Sequence, residues 1–425
     1  MEKTKLRQVI FDQQEVFNTP IDLIDRDIDL DKYIKNQEII VITGIRRSGK
    51  SSLLKIIRDK LDAKSFYLNF DDIRLTEFND QNFEDIEDIV FEIFNEAKDI
   101  NFFLDEVQNV KNWERWVNNL YSRNVKVFVT GSNSHLLSSE ISTYLTGRNK
   151  TIKLFPFSFK EFLLLRESPS IINSSKDKRK IIRNFNEYFL LGGFPVIDIN
   201  KDLELSRQYF EDIINKDIVK RYGIRMIKEF NDLILYLFSN VSKQYSYSTL
   251  KKISGIKSLS MIKNYIDYLK QVFLAYTIPR FDFSIKKQKV SSSKFYAGDN
   301  SFLKTIAFGF SENKGQRLEN LVFLELVRRN NEIYYYSEKG ECDFVIKKGL
   351  KIVKAIQVTY DLTNIKTKNR EVNGLLEAMK EFKLKEGLIL TFDQEDEFDF
   401  EDKKVIVKPV WKWMIENGKE KNKGN

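Results

Sequence analysis

Residues 38–52 read EIIVITGIRRSGKSS, and this stretch decides the fold. Glu38 to Thr43 is a short apolar run that stops at a glycine, and from Lys50 to Lys60 the residues Leu53, Leu54, Ile56 and Ile57 recur at helical spacing. The reading is strand, loop, helix. Between the two, Gly44, Ile45, Arg46, Arg47, Ser48, Gly49, Lys50 and Ser51 satisfy G-x-x-x-x-G-K-[ST], with Ser52 next in the first helical turn. Glycines let the backbone curl so that successive N–H groups and the positive end of the helix face one anion. The phosphates of ATP fit such a cradle. Lys50 adds a mobile cation across the β- and γ-phosphates, and Ser51 offers a hydroxyl to Mg²⁺, so ATP and Mg²⁺ are the expected ligands.

Outward from the loop, Ser65 to Phe70, Ile100 to Leu104, Val125 to Thr130 and Thr151 to Phe155 read as further strands separated by helices. That alternation predicts an α/β domain with a parallel sheet covered on both faces. Asp105 and Glu106 follow the strand Ile100 to Leu104, where an acidic pair reaches the same metal. Asp105 is assigned to Mg²⁺ and Glu106 to the attacking water, which favours an ATPase over a small-molecule kinase. At the end of the fourth strand, Thr130 is the first choice for positioning water or γ-phosphate, with Ser132 as the alternative and Asn133 beside them. Arg148 follows a helical stretch from Ser134 to Leu145. It is placed to reach the γ-phosphate of a neighbouring subunit in a nucleotide-dependent homo-oligomer, and an ordinary surface arginine is the competing reading.

At 425 residues the chain is too long for one ordinary core, and three domains are expected. The charged start from Met1 to Arg7 is unlike a signal peptide, and no apolar run approaches the roughly 20 residues of a membrane span. A cytoplasmic protein without membrane association is expected. One cysteine, Cys342, excludes an internal disulfide, and one histidine, His135, excludes zinc sites built on several His or Cys ligands. Oxygen-bound Mg²⁺ or Mn²⁺ remains. The net charge of +8 is concentrated: Val241 to Phe295 holds eleven Lys or Arg against two Asp, a local +9 that leaves −1 for the rest. This points to a polyanion such as DNA.

After Pro156 the pattern turns helical over Ser158 to Arg166, Lys178 to Leu191 and Leu205 to Arg221, with Gly192-Gly193 as a helix stop. From Asn231 to about Phe281 three amphipathic helices break near Gly255 and Ser258 to Ser260, which is helix-turn-helix spacing. The chain from Gln316 reads helix, three strands (Glu332 to Tyr336, Cys342 to Ile346, Ile352 to Thr359), helix (Arg370 to Phe382) and strand (Glu386 to Thr391). The tail Asn417 to Asn425 has nothing apolar to bury and is expected to be disordered.

Together these features resemble the AAA+ ATPases, with Walker A at Gly44 to Ser51, Walker B at Asp105-Glu106, Thr130 at the sensor-1 position and Arg148 where that superfamily places its arginine finger. Arg46-Arg47, Trp113, Gly131-Ser132, Gly147-Arg148, Pro156 to Phe162, Leu191 to Pro195 and Glu341 to Phe344 narrow the resemblance to one prokaryotic group. Its members pair an AAA+ core with a winged-helix region and a restriction-endonuclease-like C-terminal domain. The resemblance implies a core over 1–155, a helical lid over 156–230, a winged-helix region over 231–310, a nuclease-like domain over 311–416 and a tail over 417–425.

In the winged-helix reading, Ser246 to Ser254 and Leu259 to Gln271 are the two helices and Phe281 to Phe295 the wing. Lys251, Lys252, Lys257, Lys263, Lys286, Lys287 and Lys289 are the candidate DNA-phosphate contacts. Asn264 alone is suited to reading a base, so weak sequence preference is expected. In the last domain, Glu319, Asp343 and Gln357 with Val358 and Thr359 resemble the PD-(D/E)XK nuclease arrangement. Thr359 stands where that motif has lysine and Gln357 where it usually has an acid. Lys354 leaves the strand on the opposite face, and Lys366 or Lys368 are conceivable migrated lysines. An inactive remnant that holds DNA or serves structure is favoured over a working nuclease. The leading expectation is a DNA-associated ATPase. A nucleotide-dependent switch scaffolding a protein partner and an ATP-gated nuclease are the alternatives.

Overall fold

The computed structural model describes residues 1–61, 63–94, 100–134, 147–200, 202–306 and 314–416. His135, most of the stretch from Ser134 to Leu145 and the tail from residue 417 lie outside the described residues.

Strands β1 (Ile39–Thr43), β2 (Ser65–Asn69), β3 (Asn101–Asp105), β4 (Val127–Gly131) and β5 (Asn149–Lys153) form a parallel sheet in the order β2-β3-β4-β1-β5. Because side chains alternate along a strand, each strand feeds two cores. Ile39, Val41, Phe102, Leu104, Val127 and Val129 join helices Lys3–Asn18, Phe83–Phe94 and Trp113–Ser122 on one face. Ile40, Ile42, Phe103, Phe128 and Ile152 meet Leu53, Leu54 and Ile57 of helix Lys50–Leu61 on the other. The α/β fold expected from the alternation is the fold observed. β1 lies between β4 and β5, so the chain steps from β1 to the edge strand β2, returns through β3 and β4, and passes β1 to β5, which sets the C-terminal ends of β3, β4 and β1 side by side where their loops meet. This unit comprises Met1–Phe155 with Gln271–Phe273.

The second unit holds Pro156–Lys270 and the chain from Leu274 onward. Its first helix, Phe159–Leu165, is set by a capping box: Ser158 Oγ accepts the Glu161 N–H at 3.2 Å while the Glu161 carboxylate accepts the Ser158 N–H at 2.7 Å. Helix Ile227–Ser239 leads into a small antiparallel sheet of β6 (Gln244–Tyr245), β7 (Ala275–Pro279) and β8 (Ser293–Ala297), ordered β6-β8-β7, with helices Tyr247–Ser254 and Leu259–Gln271 between β6 and β7. The β7–β8 connection differs from the expected wing. Ser284 caps a short helix, Ile285–Val290, and the Phe281 N–H bonds to Tyr335 O at 2.7 Å.

Strands β9 (Glu332–Ser337), β10 (Glu341–Lys348), β11 (Lys351–Val358), β12 (Glu386–Thr391), β13 (Asp396–Phe400) and β14 (Lys403–Pro409) form a sheet ordered β13-β14-β12-β11-β10-β9. Phe344, Ile346, Ile356 and Leu390 pack with Leu318, Val322 and Leu326 of helix Lys314–Arg328 on one face. Cys342, Val345, Ala355 and Ile389 pack with Val372, Leu375 and Met379 of helix Ile365–Glu381 on the other. The first of these cores also takes Phe159, Phe162, Phe185 and Tyr188, so the segment expected as a helical lid shares its interior with the last sheet.

Helix Ser175–Leu191 ends at Gly192, whose φ of +74° suits glycine. A Cβ there would lie 1.8 Å from Asp299 Oδ1, and that carboxylate is fixed by the N–H groups of Gly193 (2.9 Å) and Ser301 (2.8 Å). Gly192→Ala should therefore destabilise this unit by about 2 kcal/mol or more, read as a lowered urea midpoint of its unfolding transition.

Candidate functional site

The loop after β1 is shaped by contacts that leave little room for other residues. A Cβ on Gly44 would sit 2.0 Å from Leu154 O, and Gly49 has a φ of +94°. Arg47 also takes a left-handed φ of +70°, a strained value for a side-chain-bearing residue. Arg26 braces the outside: its guanidinium donates to Ser48 O at 3.0 Å and to Phe155 O at 2.7 Å. Sequence reading missed Arg26, because nothing in its neighbourhood announces a partner so far along the chain. Lys50 is buried and folds back over the loop, with Nζ 3.3 Å from Gly44 O, 3.4 Å from Ile45 O and 3.4 Å from Glu106 Oε1.

Parallel register brings the other predicted residues to the same edge. Thr43 pairs with Gly131, Leu104 with Val129 and Asn69 with Asp105. Buried Asp105 accepts a hydrogen bond from Thr130 Oγ1 and another, at 2.9 Å, from Tyr67 OH, and Ser51 also bonds to it. Burial and then the neighbouring Glu106 push the Asp105 carboxyl above its ordinary range. Glu106 has a left-handed φ of +50°, and its N–H donates to Thr130 Oγ1 at 3.0 Å. Its carboxylate receives Gln108 Nε2 and, at 3.3 Å, the Ser132 N–H. Burial opposes its charge, but Lys50 and the Gln108 hydrogen bond outweigh it and hold Glu106 below the usual range.

Thr130 thus bridges the acidic pair, and Ser132 contributes its N–H to Glu106. The hydroxyls of Ser48 and Ser132 are buried without a hydrogen-bond partner among the described residues. Ser51 is exposed at the helix start and Ser52 half-buried behind it. Asn133 O accepts from Thr43 Oγ1 at 3.2 Å. Arg46 reaches Asp71 at 3.5 Å. Arg148 donates to Asn118 Oδ1 at 2.6 Å and lies over the Tyr121 ring.

In the second unit, Lys251, Lys252, Lys257, Lys263 and Asn264 are exposed on helix Tyr247–Ser254, the following turn and the start of helix Leu259–Gln271. Lys286, Lys287 and Lys289 are exposed on the short helix before β8. Lys294, from the same basic segment, points inward instead. Its ammonium is 2.8 Å from Asp343 Oδ1, 3.1 Å from Glu319 Oε1 and 2.8 Å from Glu341 Oε1. The structure brings Glu319 and Asp343 together around this ammonium, with Gln357 Oε1 accepting the Asp343 N–H at 3.2 Å, and adds a lysine that sequence reading counted only within the basic segment. Lys354 and Lys366 are exposed, and Lys368 lies over the Phe398 ring. Thr359 Oγ1 donates to Asp361 O at 3.1 Å.

Comparison with known proteins adds the following. An AAA domain model matches residues 36–163, and the model of a domain of unknown function matches 182–314. The chain is 35% identical over 434 residues to the uncharacterized protein MJ1544 of Methanocaldococcus jannaschii, covering 97% of this chain and 96% of that protein. It is 30% identical over 394 residues to an uncharacterized protein of Haemophilus influenzae, covering 89% and 94%. Among solved structures, the RuvB Holliday junction branch migration motor of Thermotoga maritima matches at 13% identity, with a TM-score of 0.28 and coverage of 68% of this chain and 92% of that one. Cdc6p of Pyrobaculum aerophilum matches at 12% identity, with a TM-score of 0.28 and coverage of 73% and 98%. No helix among the described residues is long and apolar enough to cross a membrane.

Burial, with Asp343 next, raises the Glu319 carboxyl to about 8 although Lys294 and Tyr296 pull it down. A raised folded value means that the folded state holds the proton after the unfolded chain has released it near 4.5. The associated stability is complete at low pH and is lost as pH rises through 8. Urea unfolding should show the second unit weakening from about pH 5 to about pH 8, and Glu319→Gln should flatten that decline.

Proposed function

The chain belongs to the family of the M. jannaschii protein MJ1544 and carries an AAA domain of P-loop ATPase fold, and on that premise we propose that it binds and hydrolyses ATP. We propose further that nucleotide state governs a DNA-contacting winged-helix module and a nuclease-like C-terminal domain. The observation that carries the first part is Lys50 Nζ held 3.4 Å from Glu106 Oε1 at the mouth of the β1 loop. A phosphate cation and a deprotonated carboxylate then face one crevice, which is what attack of water on a γ-phosphoryl group requires.

The roles follow from the contacts. N–H groups of residues 44–50 bind the β-phosphate, and Lys50, pre-placed by Gly44 O and Ile45 O, moves onto the β- and γ-oxygens. Ser51 and Asp105 are the groups that would hold Mg²⁺, which supplies screening of the phosphate charge when bound. A hydroxyl already bonded to a buried carboxylate fits that ion. Glu106 accepts the proton of the attacking water, and Thr130 and the Ser132 N–H fix its direction. Arg148 is the proposed finger toward a second subunit, and its present hold on Asn118 is a single exposed hydrogen bond.

For the DNA part, the support is the order helix, strand, helix, helix, strand, short helix, strand over Ile227–Ala297, together with the exposed lysines on its two turn-linked helices. Contacts of this kind neutralise phosphates and carry little sequence preference.

Lys50→Ala should weaken nucleotide binding by about tenfold or more, whereas Glu106→Gln should keep binding within about threefold and slow turnover by about 100-fold. Equal turnover in wild type and Glu106→Gln removes the assignment of the base. Duplex DNA should raise the ATPase rate, with affinity that falls steeply as salt rises and that drops in Lys251→Glu/Lys252→Glu/Lys263→Glu. Unchanged turnover with duplex and single-stranded DNA, together with no salt-dependent binding, would sink the DNA part.

A further inference from the structure

We infer that Lys294 is a built-in cation standing in for the divalent metal of a nuclease-type cluster, so that the C-terminal site is metal-free and ties β8 to the last sheet. The inference rests on the nuclease-like reading of this domain and is independent of the ATP site.

The donors and acceptors leave a metal little to bind. The Lys294 ammonium, 2% exposed, contacts the carboxyl groups of three acids: Glu319 from helix Lys314–Arg328, and Glu341 and Asp343 from β10. Asp343 gives its other oxygen to the Val358 N–H at 2.9 Å. Glu319 Oε1 also accepts from Tyr296 OH at 2.8 Å. The third motif position is the amide Gln357, whose oxygen accepts the Asp343 N–H at 3.2 Å and whose nitrogen donates to Glu371. Among the described residues, no group of three or more His, Cys, Asp or Glu is arranged to hold a metal ion.

Access is not the obstacle. A cavity of 830 Å³ opens on Glu319, Glu341, Asp343, Gln357 and Glu371. The obstacle is charge, because an entering dication would meet an ammonium that is buried and anchored by three partners. Burial works against that ammonium, but Asp343 and then Glu319 hold it protonated well above the ordinary lysine range. The cationic demand of the acids is met from within the chain by a strand of the neighbouring module.

The test is Mn²⁺ binding to the nucleotide-free full-length protein, followed by electron paramagnetic resonance. Wild type and Asp343→Asn should bind Mn²⁺ alike. Lys294→Met should gain about one Mn²⁺ per chain, and Lys294→Met/Asp343→Asn should lose it again. If Asp343→Asn strips an Mn²⁺ from the otherwise wild-type chain, or abolishes Mn²⁺-dependent plasmid nicking, the inference falls and the nuclease-like reading stands. If folded Lys294→Met gains no metal, both fall. Should Lys294→Met fail to fold, Lys294→Gln, which keeps a donor toward the acids, replaces it, and the comparison of wild type with Asp343→Asn needs neither variant.

Discussion

Parallel pairing of β3, β4 and β1 is the constraint from which the nucleotide edge follows. Strands in parallel register end on the same side, so the loop after β1, the acids at the end of β3 and the hydroxyl at the end of β4 arrive together without any local sequence arranging it. Thr130 then converts proximity into geometry by bonding both Asp105 and the Glu106 N–H. The left-handed backbone at Glu106 and Arg47 costs on the order of 1 kcal/mol each, a strain tolerated because the surrounding sheet is fully packed.

Much of this was legible in the sequence, for a physical reason. A phosphate loop is a contiguous motif, and buried parallel strands are continuous apolar runs, so both announce themselves locally. Helix Lys3–Asn18 carries Leu6, Val9, Ile10 and Phe17 at helical spacing, but among many polar residues it did not register. β13 escaped because Asp396 to Phe400 is mostly charged, and β14 because the connection before it, Glu401-Asp402, holds neither Gly nor Pro to mark a turn. Arg26 and Lys294 were invisible on different grounds. Their partners lie far along the chain, and a lone basic residue in a Lys-rich sequence reads as surface charge until the fold shows what it faces.

The second unit also shows how segments that look separable in sequence become one body. The Gly192-Gly193 stop is matched to Asp299, whose carboxylate caps the backbone more than a hundred residues away. Phe159, Phe162 and Tyr188 share a core with strands of the last sheet. A helical stretch and a sheet joined in this way unfold together more readily than apart.

The six-stranded sheet has two margins, and each is treated differently. At β9 the backbone is occupied by Arg280 and Phe281, which pair with Tyr335. At β13 no further strand pairs with it among the described residues, and the strand carries Asp396, Glu397 and Asp399. Carboxylates along an open strand repel a second copy of the same edge. The acidic composition that hid β13 from sequence reading therefore protects the chain from strand-to-strand aggregation.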